Sequence, residues 1–479
     1  MAVTIDRHHG FKPFSRSQRC KLQSYGHLDP NIIERSQTGG GGAALSSSQH
    51  SFGLASLQAE NIHRSFSTPC LPLTTLLGGE ADPTSSSHPR VEIVRGSGAP
   101  PVNALVVEVA IAMASGVRPI PLPSGLGGAY VFRNQNGNNI AVAKPVDEEP
   151  LALNNPKGLG GQMLGQPGLK KSIRIGETGI RELAAYLLDH GGLAGVPPTA
   201  LVKFSHASFF AAASSCSSSH TPQIASLQRF VDHGFDAGEL GPSFFPVSSV
   251  HQIGILDIRI MNLDRHAGNM LVLKHDHNSG YVDGVADLVP IDHGFCLPEW
   301  LDDPYFEWLH WPQASFPFSE YETDYISMLD PFRDAEALRS ELPSSLRESS
   351  IRVLIVCTIL LKQAAGAGLC LAEIGQMMTR KFCGGEKSRS ELENICFKVK
   401  TSVIPRGGGD NDDNRKDEET DDDQECDDHE VVGGGGGIIS LADLNQGEWE
   451  AFLEVFSELL HGVFEAKRSS AKAKFGTYN

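Results

Sequence analysis

At 479 residues, with 40% hydrophobic and 7% aromatic residues, the chain can bury one large bilobal core or two ordinary ones. Its formal charge of -18 is concentrated, because Asp410 to Glu430 hold thirteen acidic residues against Arg415 and Lys416; the remainder is mildly acidic, which excludes a broad basic nucleic-acid surface. Nine cysteines are scattered from Cys20 to Cys426 without a C-x-x-C pair, which argues against a disulfide framework or a zinc site and for a reduced, cytoplasmic chain.

Residues 1–95 are rich in Ser, Gly and His, with "TGGGG" and "SSSQH" but no sustained periodicity, and read as a disordered N-terminal region. The basic N-terminus lacks an apolar h-region, so no secretory signal is expected. Order is expected near Val102: in "NALVVEVAIAMASG", Leu105, Val106, Val109, Ala110 and Met113 share one helical face and Gly116 is the stop. "AYVFR" and "IAVAK" are β-prone runs divided by the turn residues Asn136, Gly137 and Asn138. A helix is predicted from about Gly179 to Asp189, then strands in "VPPTALVKFSH" and "IASLQRFVDHG". From Ser248 the pattern turns helical, interrupted by strands in "NMLVLKHD" and "ADLVPIDHG". The fold class is therefore α+β and bilobal, a small β-rich N-lobe before a larger helical C-lobe across residues 96–405. A Gly- and Asp-rich insert at 406–437 reads as a solvated loop, and 438–479 as a C-terminal helical segment and tail. The apolar run Val353 to Leu361 is too short to span a bilayer and reads as a buried helix.

The chemistry gathers around "NLDRHAGN". Asp264 and Asn269 are five apart, the offset of the Asp and Asn of a kinase catalytic loop. There the aspartate receives the acceptor hydroxyl proton and the asparagine oxygen helps hold magnesium. Downstream, Asp292 ends an apolar strand two residues before Gly294, as a metal-binding carboxylate does in the D-x-G pattern. Upstream, Lys144 ends "IAVAK" as the ammonium for the α- and β-phosphates, and Glu182 on the next helix is its ionic partner. Ser124, Gly125, Gly127 and Gly128 form a turn whose backbone amides can close over phosphate oxygens. Each feature alone has a plainer reading, a hairpin turn or a solvated strand end. Their order on the predicted elements points to phosphoryl transfer from ATP.

The segments "SGLGGAYVFRN", "VAKPVDEEP", "NNPKGLGG", "GETGIRELAAYLLD", "GILDIRIMNLDRHAGNMLV" and "PIDHGFCLPEWLDDPYFEWLHW" resemble the phosphatidylinositol 3-/4-kinase catalytic domain, specifically the plant gamma class of type II phosphatidylinositol 4-kinases. The resemblance implies an ATP- and Mg2+-dependent kinase acting on phosphatidylinositol in membranes at the inositol 4-hydroxyl. It implies a Gly-rich loop from about 123 to 129, which adds Leu126 and Ala129, and a hinge at Gln228, Arg229, Phe230 and Val231 whose backbone meets adenine. It also implies a catalytic loop at 262–270 and an activation loop from about 289. Two departures stand out. Residues 1–95 show no ubiquitin-like domain, so recruitment by that route is not supported. "PKGLGGQMLGQPGLKKS" lacks the cysteine cluster that animal type II enzymes palmitoylate, so a reversible, peripheral membrane association is expected. His266 stands two residues after Asp264, as in the lipid kinases; sharing the acceptor role and bracing the loop are both open to it. Arg265 is expected to pair with Asp257 or Asp292.

Between Lys274 and Arg333 there is no Lys or Arg. A site that reads a phosphate already on the inositol ring needs cations, so an unphosphorylated headgroup is expected, docking near Pro298 and Glu299. Trp300, Trp308 and Trp311 fall in this span and suit either a membrane interface or the C-lobe core. Two alternatives remain: a protein Ser/Thr kinase using the same machinery, and a catalytically silent binding module, against which the full set Lys144, Asp264, Asn269 and Asp292 argues.

Overall fold

The computed structural model describes residues 3–4, 12–13, 90–96, 98–205, 222–273, 286–342, 345–383, 386–404 and 438–476. Two units separate at Ala81. In the first, Val3–Thr4 pairs antiparallel with Lys12–Pro13; the rest of the expected N-terminal region up to residue 89, and the expected insert at 406–437, lie outside the described residues.

In the second unit order begins earlier than the sequence suggested. Strand β1, Arg90–Arg95, alternates exposed and half-buried residues and pairs with Thr199–Ser205, so its pairing supplies an order that its short, charged sequence conceals. The N-lobe sheet has six strands: β1; β2, Ile120–Pro121; β3, Tyr130–Arg133; β4, Asn139–Pro145; β5, Thr199–Ser205; and β6, Gln223–Arg229. They lie in the order β1-β5-β6-β4-β3-β2, with antiparallel neighbours throughout. The β3–β4 hairpin is closed by Asn134, whose Oδ1 accepts the N–H groups of Asn136 and Asn138 at 3.0 and 2.9 Å, while Gly137 takes φ 84°, a left-handed turn that costs glycine little. Helix α1, Pro100–Ala114, starts on proline and buries Val102, Leu105, Val106, Val109, Ala112 and Met113 against Phe132, Ala141, Ala143, Ala200 and Leu227 of the sheet. Alternation along β4 then turns Lys144 to the opposite face, toward the cleft. Helix α2, Thr178–Leu188, covers that face.

The C-lobe is built on α3, Val247–Arg259; α4, Glu320–Met328; α5, Pro331–Glu341; α6, Glu348–Gly366; α7, Leu371–Met378; α8, Glu391–Val403; and α9, Gln446–Gly476. A three-stranded sheet of β7, His233–Asp236, β8, Met270–Leu273, and β9, Leu288–Pro290, has β8 at its centre. The apolar run at 353–361 extends into the 19-residue α6, which by length and composition alone could cross a membrane, yet 78% of its apolar window is buried inside the protein; it is the central core helix. Gly254 of α3 permits close packing there, since a Cβ would lie 2.4 Å from Leu371. Residues 438–476 are not wholly helical: Ile439–Ser440 pairs antiparallel with Trp300–Leu301. Arg352 holds this return by donating to the carbonyls of Leu441 and Leu444 at 2.6 and 2.8 Å and stacking on Trp449 at 4.9 Å. Trp308 and Trp311 are buried in the same core, so two of the three tryptophans pack the lobe.

Candidate active site

Lys144, Glu182 and Asp292, which are remote in sequence, meet in one cluster. Glu182 accepts from Lys144 Nζ at 2.7 Å through Oε1 and from Ser226 Oγ at 2.9 Å through Oε2. Ser226 lies opposite Lys144 across the β4–β6 ladder, and Gly179 lets α2 come this near, since a Cβ would stand 3.2 Å from the Ser226 Cβ. Lys144 also pairs with the Asp292 carboxylate. Burial alone would lower the Lys144 pKa, but the charges of Asp292 and Glu182 outweigh it and hold it above the ordinary value. Burial would likewise raise Asp292, and Lys144 reverses this to hold it below the usual carboxylate range.

The loop after α3 turns through Met261 at φ 45° into Asn262, which is fully buried. Asn262 Nδ2 donates to Asp257 Oδ1 at 2.9 Å and its Oδ1 accepts the Asp264 N–H at 3.0 Å. Asn269 Nδ2 donates to the Asp264 carbonyl at 2.9 Å, so its Oδ1 remains the acceptor for a cation. Arg265 pairs with Asp257, as one of its two expected partners; Asp257 Oδ2 also accepts from Trp308 Nε1 at 3.0 Å. His266 Nδ1 accepts the Gly268 N–H at 3.1 Å, which supports the bracing role and leaves Nε2 as the nitrogen open to another partner. Burial raises the Asp264 carboxyl above its ordinary value, opposed by the charge of Lys170; a raised pKa brings a general base closer to neutral pH.

Strand β9 delivers Asp292 in a left-handed conformation, φ 60° and ψ 52°, uncommon for a non-glycine residue although Asp tolerates it better than most. The Ile291 N–H donates to the Asn269 carbonyl at 3.0 Å, so the two expected metal-binding residues sit on joined backbones. A carboxylate and an amide oxygen are hard donors that suit a small divalent cation sharing its remaining positions with phosphate and water. No cluster of three or more His, Cys, Asp or Glu side chains fit to hold a metal unaided occurs among the described residues. His293 is fully buried without a hydrogen-bond partner for either ring nitrogen among the described residues, and burial, with Arg265 and Lys144 nearby, keeps it neutral.

The Gly-rich loop, Ser124 to Ala129, links β2 to β3. Gly125 at φ 80° faces open space, whereas Gly127 and Gly128 pack on the chain after β4: a Cβ on Gly128 would meet Glu148 Oε2 at 2.0 Å. These two glycines therefore serve close packing first. Sequence reasoning missed the anchors of this loop. Lys157 Nζ donates to the carbonyls of Leu122 and Pro123 at 2.6 and 3.0 Å, and Asn155 Nδ2 to that of Leu126 at 2.8 Å. Glu148 and Glu149 are nearly fully buried; burial pushes each carboxyl up to about 7. Glu149 accepts the Gly176 and Thr178 N–H groups at 2.7 and 3.0 Å at the start of α2, satisfying donors the helix leaves free. The signal was present in "KPVDEEP" and "NNPKGLGG", whose polar residues lie beside a β-run with no helical period of their own.

The expected hinge is partly committed elsewhere. Gln228 lies inside β6 with its side chain on Thr199 Oγ1 at 2.9 Å; the Arg229 and Phe230 N–H groups go to the Pro198 and Ile140 carbonyls at 2.9 and 3.0 Å, and the Val231 carbonyl meets His233 Nδ1 at 2.8 Å. Antiparallel pairing consumes the donors of the first three residues, so of the four expected hinge residues Val231 alone keeps an N–H that is not part of this pairing.

The acceptor side corrects another expectation. Glu299, placed by the sequence at the headgroup dock, is buried and bonded to Arg174 at 2.7 Å and Arg347 at 2.8 Å. The activation loop carries no cation of its own, but the hairpin at 165–175 and Arg347, just before α6, bring cations to it. Arg181, fully buried beside Glu182, donates to the Leu297 carbonyl and to Glu177, each at 2.7 Å, joining α2 to the same loop.

The Phosphatidylinositol 3- and 4-kinase profile matches residues 125–374, which hold Lys144, Glu182, Asp264, Asn269 and Asp292. Among curated relatives, Phosphatidylinositol 4-kinase gamma 1 of Arabidopsis thaliana is 58% identical over 406 residues, 84% of this chain and 69% of that protein. Gamma 8 from the same plant is 58% identical over 413 residues, 84% and 73% of the two chains, and gamma 7 is 54% identical over 356 residues, 73% of this chain and 54% of that protein. A match of this extent, over a cleft with these groups assembled, means that the chain belongs to the phosphatidylinositol 3- and 4-kinase family.

Proposed function

We propose that the chain is an ATP-dependent lipid kinase that phosphorylates phosphatidylinositol at the inositol 4-hydroxyl. The observation that carries the reading is the meeting of Lys144 with both Glu182 and Asp292, beside a catalytic loop that presents Asp264 and Asn269 from one hydrogen-bonded turn. ATP supplies the phosphoryl group, and Mg2+ held by Asp292 and Asn269 would neutralise charge on its phosphates. Lys144 binds α- and β-phosphate oxygens and is kept in place by Glu182. Asp264 orients the acceptor hydroxyl and takes its proton as that oxygen bonds to the γ-phosphorus and the bridging bond to ADP breaks. The Gly-rich loop, steadied by Lys157 and Asn155, covers the phosphates. Inositol lipid is favoured over a peptide acceptor because the relatives are named as phosphatidylinositol 4-kinases; the catalytic groups themselves suit either. Membrane contact is peripheral in this reading.

The test is transfer from radiolabelled ATP, with and without Mg2+, to phosphatidylinositol vesicles and to generic protein acceptors. Label in phosphatidylinositol 4-phosphate alone supports the reading. Label in protein alone favours the Ser/Thr-kinase alternative, and no label in either favours a binding module.

A further inference from the structure

A β-hairpin stands between the Gly-rich loop's anchors and α2. Gly165 N–H donates to Ile175 O, Ile175 N–H to Gln166 O and Gly168 N–H to Ile173 O at 2.9, 3.0 and 2.9 Å, and the tip is a turn in which the Lys170 carbonyl accepts the Ile173 N–H at 2.9 Å. This tip is fastened to the activation loop: the Ser172 carbonyl accepts the Glu299 N–H at 2.9 Å and Ser172 Oγ donates to Asp302 Oδ2 at 2.7 Å. Shortly beyond, the Tyr305 carbonyl accepts the Arg265 N–H at 3.0 Å, next to Asp264. The hairpin thus carries Lys170 from the N-lobe to the acceptor side of the catalytic loop.

Lys170 is half-buried. Its neighbours in sequence and function spend their charges: Lys144 on Glu182 and Asp292, Lys157 on two carbonyls, Arg174 on Glu299. The Lys170 ammonium has no hydrogen bond or ion pair among the described residues, and its field reaches Asp264. A free cation on a hairpin fastened to the activation loop, on the acceptor side of the catalytic loop, suits an acceptor that carries an anion near its hydroxyl.

We propose that Lys170 is a specificity-determining residue for the acceptor, pairing through its ammonium with the phosphodiester that links an inositol ring to its glycerol. The proposal rests on the lipid-kinase reading. It revises the picture of an acceptor surface without cations, because a charge absent from residues 275–332 arrives from the hairpin.

The experiment compares full-length wild type, K170Q, K170R and K171Q, with phosphatidylinositol in neutral-detergent micelles and with soluble glycerophosphoinositol. The readings are KM for acceptor, KM for ATP and acceptor-free ATP hydrolysis. For K170Q the KM for both acceptors should rise about tenfold, as for one lost charge-assisted contact, while KM for ATP and hydrolysis stay within about twofold of wild type; K170R should recover most of the loss and K171Q should match wild type. A rise limited to the lipid acceptor, or shared by K171Q, would instead mean general attraction to the lipid surface. Equal losses in ATP hydrolysis would assign Lys170 to the nucleotide. Wild type that transfers while K170Q is unchanged ends this proposal alone; wild type that transfers to neither inositol acceptor ends the lipid-kinase reading and this proposal with it.

Discussion

Arg265 Nε lies 3.0 Å from Asp257 Oδ2, and neither side chain has any exposure. The same guanidinium donates through Nη1 to the Asn269 and Ile291 carbonyls at 2.6 and 2.9 Å, so one cation fixes the catalytic loop to the strand end that bears Asp292. Removing one member of a buried pair costs about 3–5 kcal/mol, and Arg265→Ala should lose that much stability together with all transfer. Arg265→Lys keeps the charge but cannot reach three acceptors in the same fork. Its melting temperature should fall less, while turnover falls by about a hundredfold or more through misplaced Asn269 and Asp292. Thermal melts beside lipid-kinase assays separate the two effects; wild-type turnover in Arg265→Lys would show that the pair serves folding alone.

Asp264→Ala and Asp292→Ala should both cut transfer steeply, for different reasons. Asp264 has no side-chain bond to Lys144, Asn269 or Asp292 among the described residues, so its loss should reduce turnover by roughly 10²–10⁴ as for a missing general base and leave nucleotide affinity near wild type. Asp292 pairs with Lys144 and is proposed to hold the metal, so its loss should weaken nucleotide binding and flatten its Mg2+ dependence. Titration with a fluorescent ATP analogue across Mg2+ concentrations distinguishes them. Equal nucleotide affinities in the two variants would remove the metal role from Asp292.

Deleting 407–437 should leave folding and turnover nearly unchanged. The chain on either side is already joined: Lys400 Nζ of α8 donates to the Ser440 carbonyl at 2.7 Å and to Asp443 at 2.8 Å. A short Gly/Ser replacement closes a gap whose ends are held, and each halving of loop length changes closure entropy by only about 0.6 kcal/mol. A loss of several kcal/mol in denaturant melts would show instead that the segment packs.

The meeting of Lys144, Glu182 and Asp292 was legible because kinase chemistry fixes the order of such groups along the chain and their places on strand ends and helices: Lys144 ends a β-run, Glu182 lies mid-helix, Asp292 leaves an apolar strand. The six-stranded sheet was legible in part through the β-prone runs that became Tyr130–Arg133 and Asn139–Pro145, divided by the turn residues Asn136, Gly137 and Asn138. Arg90–Arg95 was hidden because an edge strand with every second residue exposed resembles a polar linker until its partner is known. The buried state of Glu148, Glu149 and Glu299 was also hidden, since a carboxylate in sequence announces solvent and only tertiary packing supplies the hydroxyl, backbone donors or arginines that bury it. The Arg229 and Phe230 N–H groups are taken for a related reason, because which backbone donors stay free depends on the register of β6 against both β5 and β4.

Glu148 should make the Gly-rich loop's support sensitive to pH. It is 2% exposed and accepts the Tyr130 hydroxyl at 2.8 Å, and burial raises its carboxyl from the ordinary 4.5 to about 7. As pH rises from 4.5, the unfolded chain gives up this proton before the folded one. The folded state then binds more protons, and the Glu148 contribution to stability, fully present below 4.5, is lost as pH rises through about 7. Glu148→Gln keeps the shape and an oxygen for Tyr130 but has no proton to lose. The difference in unfolding free energy between Glu148→Gln and wild type should therefore shift in the variant's favour by roughly 1–3 kcal/mol between pH 5 and pH 8. Comparing the two proteins removes the background from Asp292, Glu322 and Asp334, whose lowered values act with the opposite sign in both. Denaturant melts at four or five pH values give the curve, and a difference that stays constant with pH would mean that Glu148 is already ionised beside Gly128 at pH 5.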